Sequence, residues 1–247
     1  MSCQKALPAL KTLFDKYDLR MSDFIEWSEL TRPLLKDLYE LGSEFLGDLV
    51  REASEDHNLR SRFETHQLLD YLVLYEDKNT GVRLRLHIAT EEHLQRIHDH
   101  RFSFSTLIFT GHYQHCLYGL KQNPYEISTL EESRPYQDRF HPDPKFAGLT
   151  SDDLFQIEWI RNETAGSSYS LHHSQTHTVF TSKNTVSLVL RGPIEKPRSL
   201  IFDQKQQQLW WRFGREEESG ERISQKIMSP NKLEQVIQNL TELEVIL

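Results

Sequence analysis

The stretch "RIHDHRFSFSTLIFTG", residues 96–111, sets two histidines one residue apart, His98 and His100, ahead of an apolar run that ends at Gly111. The run "FSTLIFT" is rich in strand formers, so the segment reads as a β-strand headed by an H-x-H pair. Residues i and i+2 of a strand share a face. On that reading His98 and His100 aim at one point and need a third partner. Neutral imidazole is the commonest nitrogen ligand for zinc, iron, copper and nickel, so the pair points to a metal.

Ten of the 12 histidines lie between His87 and His177. Besides His98 and His100 they form two groups, His112 with His115, and His172, His173 and His177 in "GSSYSLHHSQTH". His112 and His115 are three apart, which does not suit a shared strand face, and they read as structural or supporting residues. The third ligand is sought in the last group, where His177 precedes the apolar strand "TVF" and His173 reads as a surface neighbour.

Together the two segments resemble the paired motifs of the cupin superfamily. His98, His100 and Gly111 match the first motif, and Gly166 and His177 match the second. The glutamate of the first motif is replaced here by Phe104 or Ser105. The proline and glycine of the second are replaced by His172 and Ser174. "HDH" followed by "TVSLVLRGP" resembles the cysteine-dioxygenase-like branch, which holds one ferrous iron through three histidines and no carboxylate. That resemblance implies a mostly β, double-stranded β-helix (jelly-roll) barrel spanning about residues 68–213. It implies Fe(2+) on His98, His100 and a third histidine. His177 fits the cupin spacing and is preferred, while His172 fits the thiol-dioxygenase position. Zinc, manganese and nickel are alternative metals, since imidazole accepts them all.

The resemblance also places Ser187 and Arg191 on the barrel interior, where the branch carries Ser-x-His-x-Tyr. A buried arginine there would clamp a carboxylate or phosphate; an exposed arginine at a strand end is the alternative. "RLRLH" puts Arg83, Arg85 and His87 on one face, with Arg85 a further candidate for the substrate. Phe104 would wall the space of the missing glutamate, and Tyr113 could offer a hydroxyl. No catalytic acid or base is identifiable beyond Asp99, which sits beside the pair.

The frame around these motifs is that of a globular chain. With 247 residues it can bury a sizeable core in one large domain or two small ones. A net charge of −8 argues against nucleic acid as a partner. The N-terminus lacks a signal-peptide layout, no apolar run reaches membrane-spanning length, and only Cys3 and Cys116 occur, so a cytoplasmic protein without a membrane partner is expected. Residues 1–66 read as a helical region packed on the barrel, with Asp23 and Ser28 as N-caps and "RPLLKDLYELGSEFLGDLVREA" as a three-to-four repeat. It would cover one barrel face or form a homodimer contact. Residues 67–215 read as the barrel, opening with a hairpin turned at "EDKNTG". The proline-marked segment 123–153 reads as a long loop. Trp210 and Trp211 would pack on the helical region, and "REEESGER" reads as a solvated charge run. Residues 216–247 end in a helix capped by Ser229 with Pro230 in its first turn.

Three imidazoles leave the full double charge on a divalent metal, favouring an anionic chelating ligand and leaving room for dioxygen. The expectation is an oxygenase of the dioxygenase type acting on a small, polar, carboxylate-bearing molecule. Another metal-dependent cupin enzyme, an isomerase or hydrolase, and a non-catalytic small-molecule-binding cupin are the alternatives.

Overall fold

A computed structural model of the chain describes residues 5–17, 19, 23–128 and 142–247. Thirteen strands are found among the described residues: β1 (Glu64–Thr65), β2 (Asp70–Glu76), β3 (Arg83–Ala89), β4 (His93–Leu94), β5 (Ile97–His98), β6 (Phe104–Thr110), β7 (His112–Leu120), β8 (Phe155–Thr164), β9 (Ser168–Leu171), β10 (Thr176–Thr181), β11 (Thr185–Arg191), β12 (Ser199–Asp203) and β13 (Gln208–Arg212). They form two antiparallel sheets, one in the order β1-β2-β3-β11-β6-β9 and the other β13-β12-β5-β10-β7-β8, with β4 paired to β10. From β5 to β7 and from β8 to β12 successive strands alternate between the sheets, giving a mostly β barrel of jelly-roll type with helices from both ends of the chain.

Alternation sets the layers. In β11, "TVSLVLR", Val186, Leu188 and Leu190 point outward with Leu84, Leu86 and Ile88 of β3. That face is covered by helices α1 (Ala6–Phe14), α2 (Phe24–Glu40) and α3 (Gly42–Glu55) and by the C-terminal helix described below. Leu34, Leu35 and Leu49 supply its apolar stripe. Asp23 caps α2, accepting from the amides of Ile25 and Glu26. Ser28 is no cap: it lies inside α2 and donates to the Ile25 carbonyl, because Asp23 has already begun the helix. The leucine repeat is split between α2 and α3 at Gly42, which has φ +83°. A short α4 (His57–Arg60) closes the N-terminal segment.

The opposite faces of the two sheets meet inside the barrel around Phe104, Ile108, Tyr113, Leu117, Tyr169, Val179 and Val189. Gly111 turns β6 into β7 with φ +74°, and a Cβ there would lie 2.2 Å from Thr185 Oγ1, so this motif position has no room for a side chain. The β2–β3 hairpin turns at Asp77–Gly81, as the sequence indicates.

Segment 123–153 departs from a plain loop. It contains α5 (Pro124–Ile127), a 3-10 turn at Pro144–Phe146 and α6 (Ser151–Leu154), while residues 129–141 of that expected loop lie outside the described residues. Phe146, Leu154 and Phe155 pack on Ile97, Phe202 and Trp211 over the outer face of the second sheet. Trp211 Nε1 donates to Asp143 Oδ2 at 3.0 Å. Trp211 therefore packs on this segment and not on the helical region, because β13 borders the sheet that faces away from the N-terminal helices. "REEESGER" is likewise more ordered than a solvated run. Arg215 pairs with Glu64, Glu216 with Arg101 and Glu218 with Lys226, leading into α7 (Gly220–Lys226). Ser229 and Pro230 open α8 (Pro230–Glu242), which buries Leu233, Val236 and Leu240. No described helix is long and apolar enough to cross a membrane.

Candidate metal centre

His98, at the end of β5, lies directly opposite His177 of β10 in the sheet register. Cross-strand neighbours bring their side chains together, and the two rings are 4.6 Å apart between centroids. The chain leaves the strand after His98, so His100 is not on β5 as the alternation argument supposes. It still turns inward: its ring lies 4.8 Å from that of His98, and its Nε2 is 3.0 Å from His177 Nε2. One nitrogen from each of the three histidines falls within 4.8 Å of the others.

Asp99 explains how consecutive residues can place two rings inward off a strand. It is 4% exposed and turned the other way. Its Oδ2 accepts from Lys196 Nζ and Tyr125 Oη, each at 2.6 Å, and its Oδ1 accepts from the Leu200 amide. Burial raises its pKa, and the Lys196 and Tyr125 bonds act against that rise. All of these bonds anchor the segment, so Asp99 is not available as a general base.

The outer nitrogens are also engaged. His98 Nδ1–H donates to the Arg96 carbonyl at 2.9 Å, which leaves the Nε2 lone pair facing the centre. His177 is 2% exposed, and its Nδ1 is 3.1 Å from His115 Nδ1. If His177 offers Nε2 inward, its Nδ1–H donates to His115, whose own proton then sits on a buried Nε2, and the His115 ring lies 4.8 Å from that of Tyr169 between centroids. Burial lowers the pKa of all three central histidines, that of His98 to about 4 and those of His100 and His177 well below 6.5. His115 is held at about 3, also chiefly by burial. Three neutral rings with converging lone pairs and no carboxylate fit a divalent transition metal by donor chemistry.

His172 does not join this group. It lies with His173 and Glu195 in a second cluster, where His173 Nδ1 is 2.8 Å from Glu195 Oε2 and His172 Nδ1 is 2.7 Å from Ser174 Oγ. His112 is exposed at the start of β7. Phe104 packs edge-on against His100 at 4.8 Å, an apolar wall beside the site. Ser187 and Arg191 face the barrel interior, Arg191 being 8% exposed, so it is not a surface arginine at a strand end. Tyr113 Oη and Ser187 Oγ form a buried hydrogen bond of 2.9 Å. Arg85 faces the same interior beside Tyr71 and Phe102. No local pattern encodes the Asp99–Lys196–Tyr125 anchor or the bond between His115 and His177, although His115 reads as a structural or supporting residue. Their partners are 97, 26 and 62 residues apart; only the odd charge between two ligand-type histidines hinted at the first.

No protein-family model matches the chain, and no curated protein matches it. Solved structures are similar at low identity. KdgF from Halomonas sp. shares 8% identity over 53% of this chain and 84% of its own, with TM-score 0.33. An RmlC-like cupin from Shewanella frigidimarina shares 11% over 53% and 83%, with TM-score 0.33. Ectoine synthase from P. lautus shares 11% over 58% and 75%, with TM-score 0.34. Likenesses this remote carry nothing about activity, and the chemistry of the site has to be argued from its own residues.

Proposed function

We propose that the chain is a mononuclear non-heme iron oxygenase of the dioxygenase type, acting on a small, polar, carboxylate-bearing molecule. The observation that supports this is the convergence of His98, His100 and His177 without a carboxylate among them. These residues would hold Fe(2+), with zinc, manganese or nickel as alternatives. Bound ferrous iron would supply oxygen activation with the substrate as the source of electrons.

The chain's own residues set the terms. Neutral imidazoles leave the metal charge uncompensated, so an anionic group on the substrate is attracted to it. Phe104 lines one side of the site and excludes water there. Between Tyr113 and Ser187 one hydroxyl hydrogen is used in their mutual bond, leaving one to donate to a substrate oxygen. Burial pushes the Tyr113 phenol up to about 12, so it stays protonated near neutral pH. Arg85 and Arg191 contribute positive charge on the interior face. A hydrolytic reading lacks a free general base, since Asp99 is held by Lys196.

The test is elemental analysis of purified protein combined with oxygen uptake in the presence of amino acids, thiols and hydroxy acids. Bound iron with substrate-dependent uptake that disappears in His98→Ala is expected. Zinc, manganese or nickel with no uptake would point to a non-oxidative metal enzyme. Protein that binds no metal even when it is added would leave only a binding module and defeat the proposal.

A further inference from the structure

The interior face of the first sheet carries two arginines that pair with no carboxylate among the described residues. β3 and β11 pair with Arg191 opposite Arg83, Val189 opposite Arg85 and Ser187 opposite His87. This row points away from the leucine core and into the barrel. Arg83 is neutralised by Glu76. Arg85 and Arg191 are not: among the described residues neither has a carboxylate partner. Glu76 is shared with Arg62, and Glu64 is held by His66 and Arg215. Arg191 Nε reaches only the Gly192 carbonyl, at 3.3 Å, and Arg85 Nε is buried without a hydrogen-bond partner. His87 Nε2, on the same row, is also buried and unpartnered.

The two guanidiniums converge on one ring. Arg191 Cζ lies 4.3 Å from the centroid of Phe102 and Arg85 Cζ lies 6.0 Å from it. The same ring is 6.0 Å from His100. Phe102 is thus a neighbour shared by His100 and both guanidiniums. Burying guanidiniums without counter-charge is costly, and a structure keeps them where a ligand supplies the missing charge. Burial and mutual repulsion draw Arg191 down to about 8 and Arg85 to about 10, consistent with that cost.

We infer that the substrate carries a second oxyanion, a carboxylate or a phosphate, held by Arg85 and Arg191, at the end opposite the group that chelates the metal. This rests on the metal-chelation reading above. The substrate class is then a dianion with one anionic end at the histidines and the other at the two arginines. Guanidinium forks suit either oxyanion through paired N–H donors.

The experiment uses zinc-loaded protein and calorimetric titration with glycerate, malate and 3-phosphoglycerate. All three share a 2-hydroxycarboxylate head, but the far end is neutral, a carboxylate or a phosphate. At least one dianion is expected to bind about tenfold or more tighter than glycerate, and the tighter one identifies the oxyanion. In Arg85→Gln and Arg191→Gln that preference should shrink to about twofold or less. Equal binding of all three ligands by the wild type, no binding of either dianion, or a preference surviving in both variants would overturn the inference. His98→Ala separates the two readings: loss of glycerate binding is expected if the head chelates the metal, and unchanged binding would count against chelation and not against the arginines. Metal-free Arg191→Met provides a check independent of ligand choice. Removing an unbalanced charge should raise its melting temperature, and a fall would mark Arg191 as structural and overturn the assignment.

Discussion

Two histidine clusters meet in this barrel, joined by the bond from the His100 amide to the His173 carbonyl, yet their physical settings differ. His98, His100 and His177 are enclosed by strands, hold no carboxylate and are kept neutral by burial. His172 and His173 sit on a turn, with His173 Nδ1 2.8 Å from the exposed Glu195 carboxylate and His172 as its neighbour. Both clusters bring three ligand-type side chains together, so histidine density alone does not distinguish them. What separates the two clusters is desolvation, together with the tied-down outer nitrogens of His98 and His177.

The sharpest way to break the first cluster without touching a ligand is through its anchor. Asp99→Ala would leave the Lys196 ammonium buried beside Tyr125 with no counter-charge. Losing one partner of a buried pair costs about 3–5 kcal/mol, so chemical denaturation should show a loss of that order, with metal binding impaired as the H-x-H segment loosens. A stability change below about 1 kcal/mol would mean that Asp99 does not hold the segment.

Next in size is the partner of His177. Removing a group that bonds a metal ligand from behind lowers metal affinity about 10- to 100-fold. His115→Phe is expected to do so by competition with a chelator, leaving the fold intact. Glu195→Gln in the second cluster should leave metal affinity unchanged in the same assay.

The smallest effect belongs to the second cluster and is read against pH. Burial pushes the Glu195 carboxyl up, but hydrogen bonds from Ser103 and the charge of His173 outweigh this and leave its pKa below 4.5. A carboxyl with a lowered folded pKa stabilises the fold above its unfolded value, and that contribution is lost as pH falls through the folded one. The pair is partly exposed, so the amount is under about 1 kcal/mol. Glu195→Gln should lower stability at neutral pH by that small amount and flatten the fall below pH 4.5, so that variant and wild type converge in acid.

Much of this arrangement is legible in the sequence, and the parts that are not share a cause. Period-two alternation in "TVSLVLR" separates the outward leucines from Ser187 and Arg191, because one face is buried on helices and the other lines the barrel. Gly111 is readable because the turn beside Thr185 excludes any side chain. His177 is distinguishable from His172 by its place at the head of β10, though alternation alone does not decide it. The placement of His100 follows from Asp99 reaching Lys196, which no local pattern encodes. The Trp211 packing partner is not legible, because proximity in sequence to the C-terminal helix says nothing about which sheet face a strand borders. The unbalanced pair Arg85 and Arg191 needed the register of β3 against β11 before it could be seen.

The central claim is tested most directly by the metal stoichiometry of four single variants, His98→Ala, His177→Ala, His172→Ala and Glu195→Gln, prepared side by side with the wild type. The account predicts metal bound by the wild type, kept by His172→Ala and Glu195→Gln, and lost from His98→Ala and His177→Ala. Metal retained by His177→Ala and lost from His172→Ala would contradict it.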